Sequence, residues 1–230
     1  YQHFNGQGDR DARFISVTSA PLVFNLFHCE DFILNNPYVF SDRFKGEDGY
    51  FGGKGRLYND RVLETNFVAD AISIEPIAWH ERGKGNRTIF FELAESTMGA
   101  HVSQFPVGIY KKAHRHGPGA HVMILTGQGY SFMWPEGAER MRFGWGPGSL
   151  VVPPEGWFHQ HFNSGDQPAR YLALKMLSRR HKLVPGKIKS DVSVKQGGMQ
   201  IEYEDEDPEI RRLFEKECAP LAAFDFELEQ

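Results

Sequence analysis

The chain has 230 residues, with 26 Lys plus Arg against 30 Asp plus Glu and a formal charge of −4. That balance gives neither the basic footprint of a nucleic-acid partner nor a cationic membrane belt, and no apolar run approaches the roughly 20 residues of a membrane-spanning helix. Two cysteines, Cys29 and Cys218, with no CxxC pair, argue against a disulfide framework or a zinc ribbon and for a reducing, cytoplasmic setting.

In chain order, residues 1–16 are polar and Gly-rich, as in a mobile arm. Pro21 to Asn36 is apolar with mixed periodicity, a strand or a short helix, and needs a surface to cover, either the chain's own flank or a partner subunit. Phe44 to Tyr58 contains GGKG, but no apolar strand leads in and no Lys-Ser/Thr opens a helix, so it is a loop rather than a phosphate cradle. From Thr65 the pattern becomes strand-like. NFVADAISIEPIAW breaks at Pro76, and GNRTIFFELAE and MGAHVSQFPVGIYKKAHRH follow. Then come HVMILTG, GYSFMW, ERMRFGW, SLVVPP, HQHFN and ARYLALKML, divided by Gly/Pro turns. Short strands at regular spacing predict an all-β sandwich or barrel over 85–180. The residues before it, 1–84, form an N-terminal extension. In the tail, 181–230, the sequence predicts a helix at about 207–218, with Asp207 at the N-cap, Pro208 in the first turn and an apolar stripe of Ile210, Leu213 and Phe214.

Histidines concentrate in two stretches, KKAHRHGPGAHVMILTGQG and GSLVVPPEGWFHQHFN. Side chains two apart on a strand share a face, so His114 pairs with His116 and His159 with His161. The Gly-Pro-Gly turn can return His121 beside the first pair. Converging imidazoles suit Fe(II), Mn, Ni, Cu, Co or Zn. His101 lies in a strand near the first stretch, whereas His3, His28, His80 and His181 read as surface or core residues.

In the first stretch Gly108 is followed by five residues to His114 and then His116; His121 and Gly127 come next. In the second, Gly148, Pro154, Gly156, His159 and Asn163 are set at the spacing Gly-x5-Pro-x-Gly-x2-His-x3-Asn. Together these resemble the two motifs of the cupin superfamily, the second at every position. The first departs at His121, where the family usually has Glu, and at Gly127, one position early. The resemblance implies a cupin-type double-stranded β-helix (jelly-roll) barrel with an N-terminal arm and a short C-terminal helix. It implies one divalent transition metal, Fe(II) favoured, on His114, His116 and His159, with His121 as the fourth ligand. It also implies a homodimer. A metal on neutral imidazoles keeps its full charge and favours an anionic ligand.

Strand alternation places Tyr110 and Lys112 on the face of His114, with Tyr171 and Lys175 across the barrel, so the expected ligand is a small organic, possibly aromatic, acid. His161 and Tyr110 are the expected proton-moving catalytic groups. Fold alone does not supply function, and three readings follow. The leading one is a non-haem Fe(II) dioxygenase. The second is an O2-independent isomerase, lyase or decarboxylase. The third is a noncatalytic small-molecule or metal-binding protein.

Overall fold

From Arg56 onward short strands follow one another, and the central ones are buried on both faces. The computed structural model describes residues 3–37, 49, 52–59, 61–94, 96–117, 119–178 and 189–218. His181 and residues 44–48, 50 and 51 of the expected 44–58 loop lie outside them.

The residues up to 38 are a unit of their own. The apolar stretch with mixed periodicity is two short helices, α1 (Ala20–Phe27) and α2 (Glu30–Leu34). His28 ends α1 in the left-handed region (φ 53°), its N–H bonded to the Phe24 carbonyl. The Phe27 and Phe32 rings meet across the link at 5.2 Å.

In the second unit, eleven strands are described: β1 (Arg56–Asn59), β2 (Val62–Thr65), β3 (Ile77–Ala78), β4 (Arg87–Leu93), β5 (Met98–Phe105), β6 (His121–Thr126), β7 (Gly129–Trp134), β8 (Met141–Trp145), β9 (Leu150–Val151), β10 (Phe158–Asn163) and β11 (Ala169–Met176). One sheet runs β1-β2-β4-β5-β11-β6-β9, with β3 also on β4; a three-stranded sheet runs β10-β7-β8. All pairings are antiparallel except β2 with β4. The large sheet therefore begins at Arg56 rather than at 85, because residues 56–78 of the expected extension add three strands to it.

Alternation sorts the side chains into three apolar layers. Between the sheets, Phe105, Val122, Ile124, Tyr171 and Ala173 pack against Met133 and Trp145. On the outer face of the large sheet, Ile89, Phe91, Ala100 and Val102 are covered by Leu63, Val68, Ala71 and Ile74. The outer face of the small sheet, with Tyr130, Phe132, Trp134, Phe158 and Phe162, is covered by α3 (Pro208–Cys218) through Ile210, Phe214 and Cys218. The helix starts as its sequence dictates, with Asp207 Oδ1 accepting the Glu209 N–H at 3.0 Å.

The second-motif residues have local tasks. Gly148 and Gly156 sit at φ 85° and 75°, a region side chains disfavour. Asn163 is fully buried, and its Nδ2 donates to the Pro106 and Gln167 carbonyls, both at 2.9 Å, tying β10 to the loops at its end. Phe214 is 1% exposed and contacts both Tyr110 and Phe162. Phe214→Ala is therefore expected to cost about 3–5 kcal/mol, measured as a fall in the urea midpoint; a change below about 1 kcal/mol would show that α3 does not seal this core.

Candidate metal centre

After the turn at Gly108 the chain runs antiparallel to β10 without becoming a regular strand. It is held by isolated pairings, Tyr110 with Phe162 and His114 with His159. The His114 N–H donates to the His159 carbonyl at 3.1 Å, and the His159 N–H returns to the His114 carbonyl at 2.9 Å. This reciprocal pair sets the two imidazoles side by side, with ring centroids 4.2 Å apart. His116 closes the triangle at 5.1 Å from His159 and 5.5 Å from His114. One ligand atom from each of the three lies within 4.8 Å of the others, a spacing fit for one ion.

The donor chemistry fits a divalent transition metal. His114 Nδ1 lies 3.3 Å from the Lys112 carbonyl and His159 Nδ1 3.2 Å from the Trp157 carbonyl. A carbonyl only accepts, so Nδ1 carries the proton in both rings and Nε2 keeps its lone pair for a metal. Burial pushes the His114 imidazolium well below its usual range, with Arg82 and His159 adding repulsion. His159 is pushed down to about 4, burial again dominating. Both rings are neutral at pH 7, the form that ligates.

His161 shares the inward face of β10 with His159, their centroids 5.7 Å apart, but its tautomer is the opposite one. Trp145 Nε1 donates to Ser131 Oγ at 2.9 Å, and that oxygen lies 2.6 Å from His161 Nδ1. Ser131 is fully buried and its hydroxyl has no other acceptor among the described residues. It therefore donates to His161 Nδ1, and the His161 proton sits on Nε2. His161 is a hydrogen-bond donor beside the triad rather than a fourth ligand.

A cavity of about 240 Å3 opens on His114 and His116. Its walls include Trp79, Phe90, Met176 and Leu177, with His101 and Tyr171; among the described residues its lining cations are Arg82, Lys111 and Lys175 and its one acidic residue is Asp191. Lys111 Nζ donates to Ser103 Oγ at 2.5 Å and to Tyr171 Oη at 3.1 Å. Burial alone would raise the Tyr171 phenol, but the Lys111 ammonium and hydrogen bonds from Ser103 and Lys111 outweigh it and lower it. Burial depresses the cations: Arg82 to about 10, with Lys175 brought down to about 8 as Arg82 adds repulsion. His101 is lowered well below its usual range, first by burial and then by Lys175 and Lys111.

Of the expected site residues, the structure brings together His114, His116 and His159, with His161 adjacent and Tyr171 and Lys175 in the cavity wall. His121 is not among them. On β6 the inward residues are Val122 and Ile124, so His121 faces outward, opposite Leu174. Tyr110 is likewise misplaced by the sequence argument. It is fully buried under α3, stacked on Phe162, with its hydroxyl donated to Glu206. Lys112 pairs with Glu202. Between Tyr110 and His114 the backbone is not a regular strand, so the alternation slips by one and brings Lys111 inward instead. Strand periodicity missed Arg82, which ends a short 3-10 turn (His80–Arg82), and no motif marks it.

No protein-family model matches the sequence, and no curated protein matches it. Among solved structures, the chain is similar to oxalate decarboxylase from Bacillus subtilis. The structure of that enzyme at pH 4.6 aligns with 46% of this chain and 28% of its own, at 17% identity and a TM-score of 0.40. A structure from work on its Mn(II) centres aligns with 49% of this chain and 30% of its own, at 16% identity and a TM-score of 0.41. The chain thus spans under a third of the length of those proteins. Two facing sheets, with the two histidine motifs on paired segments, are the architecture the cupin resemblance implies.

Two outcomes follow. His159→Ala should lose most bound metal while His121→Ala keeps it, read by elemental analysis of purified protein; equal retention in both would refute the triad. The metal-free protein should also lose stability as pH falls. Imidazoles titrate at 6.5 in the unfolded chain but near 4 for His159 in the fold, so the unfolded state binds more protons between those values. The loss is about 1.4 kcal/mol per pH unit for each such imidazole, visible as a falling Tm from pH 6.5 to 4. A flat Tm over that window would show these rings accessible to protons.

Proposed function

We propose that this chain is a metal-dependent enzyme acting on a small organic anion, with His114, His116 and His159 holding the ion, and in its leading form a non-haem Fe(II) dioxygenase. The observation that carries the reading is the convergence of three imidazoles, two of which line a small cavity whose other charged walls, among the described residues, are mainly cationic. A bound divalent ion would supply Lewis acidity and, as Fe(II), the electrons that let O2 react with a closed-shell substrate.

The chain's own residues do the rest. The apolar walls exclude water and strengthen every charge interaction inside. Lys111 draws the substrate anion in and holds the Tyr171 phenol in place at 3.1 Å. His161, with its proton on Nε2, stands beside His159 as a hydrogen-bond donor for a group bound at the triad. Three protein ligands leave open positions, which favours two partners bound side by side and hence an oxygenase.

A second reading, O2-independent decarboxylation or another lyase step, is favoured by Tyr171. A phenol lowered by a buried ammonium is a ready proton donor to a carbanion-like centre. Metal analysis followed by turnover of a panel of small organic acids, with and without O2, decides between them. The expected result is substrate-dependent O2 uptake that falls at least about 100-fold in His159→Ala. Equal turnover under strict anaerobiosis would replace the oxygenase with the second reading, and full metal loading with no turnover across the panel would sink both.

A further inference from the structure

We propose that the cavity takes a small dicarboxylate, with one carboxylate at the histidine triad and the second at Lys175. The proposal rests on the triad being a metal site and adds the second anchor.

The three cations of the cavity are not equally engaged. Arg82 is committed to protein: Nη1 donates to the Ser190 carbonyl at 2.7 Å and to Gln200 Oε1 at 3.1 Å, Nη2 donates to Ser190 Oγ at 3.0 Å, and the guanidinium stacks 4.9 Å from the Trp79 ring. Lys111 spends two of its three N–H donors on Ser103 and Tyr171. Lys175 is different. Among the described residues its ammonium has no hydrogen-bond acceptor and no carboxylate, only the face of Phe90 at 5.7 Å. It is an inward cation with all three donors unclaimed.

Its place in the sheet gives the ligand a second end. Tyr171, Ala173 and Lys175 are the inward residues of β11. At the strand rise, Tyr171 and Lys175 stand roughly 13 Å apart along the backbone. The Lys111–Tyr171 pair marks one part of the cavity and Lys175 another, with His101, opposite Ala173, between them. At about 240 Å3 the space is below the roughly 300–1,000 Å3 of drug-sized sites and suits a molecule of few heavy atoms.

Charge favours two acid groups over one. A divalent ion on neutral imidazoles adds two positive charges to a wall that already carries Arg82, Lys111 and Lys175 against Asp191. A monocarboxylate at the ion would leave Lys175 facing a desolvated, uncompensated field. A second carboxylate gives its unclaimed donors a charge-assisted partner.

The test uses the metal-loaded full chain and calorimetric titration with matched pairs: malonate against propionate, succinate against butyrate, glutarate against valerate. The wild type should bind at least one dicarboxylate about tenfold or more tighter than its partner, the effect of one charge-assisted hydrogen bond. In Lys175→Met that preference should fall to below about threefold, with monocarboxylate affinity and metal content unchanged; Lys175→Gln serves if the Met variant does not fold. A wild type without the preference, or a preference that survives both substitutions, overturns the proposal. Metal content of the same samples separates the two readings. A metal-free wild type with a Lys175-dependent preference overturns the metal reading and keeps the dicarboxylate site. A metal-loaded wild type without the preference does the reverse.

Discussion

The pair of backbone hydrogen bonds between His114 and His159 is the contact on which the candidate site depends. These bonds join a segment that is not a regular strand to β10, and in doing so they bring the two histidine motifs, separated by more than forty residues of chain, into one register. Everything polar in the site is counted from that register. One residue of slip would turn His114 toward α3 and Tyr110 toward the cavity, since neighbours on an extended chain point to opposite sides. The Asn163 amide fixes the far end of β10 to the loops around Pro106 and Gln167, so the strand cannot slide without breaking buried hydrogen bonds.

The electrostatics follow from the same burial. Enclosed imidazoles are kept neutral because protonation would place charge in a desolvated cavity already holding Arg82, Lys111 and Lys175. Neutral rings are good ligands and poor charge compensators. The absence of a carboxylate at the motif position held by His121 therefore leaves compensation to whatever the cavity admits. The two tautomers divide the work between the rings. A carbonyl beside Nδ1 makes His114 and His159 into lone-pair donors, while a serine hydroxyl beside Nδ1 makes His161 into an N–H donor. Identical side chains acquire different roles from a single second contact each.

The strands, the terminal helix and the triad were legible in the sequence because each rests on local rules: period-two alternation, an N-cap followed by Pro208, and fixed motif spacing. His121 does not join the triad because it opens β6, where the inward residues are Val122 and Ile124; sequence spacing does not give the direction of a side chain. Tyr110 failed for a related reason. Alternation was carried across a stretch held only by isolated bridges, where it does not persist. Arg82 was invisible, since its burial is created by partners more than a hundred residues away, Ser190 and Gln200, which no local pattern connects to it. The mixed apolar stretch at 21–36 resolved into helices too short for periodicity to declare.

Those distant partners bear on what the site is made of. The chain from β4 to β11 supplies the triad, Lys111, Tyr171 and Lys175, but the cavity is completed by chain from either side of it. Trp79 and Arg82 come from before β4, and Ser190 and Asp191 from after β11. Gln200 links the two additions, accepting from Arg82 and donating to the Glu81 carbonyl at 2.9 Å, while its backbone bridges to His114 itself. One fully buried amide thus touches the arginine of the wall and the backbone of a ligand. The two histidine motifs set where a metal can sit, and the segments flanking the sheets close the cavity beside it and hold its wall in place.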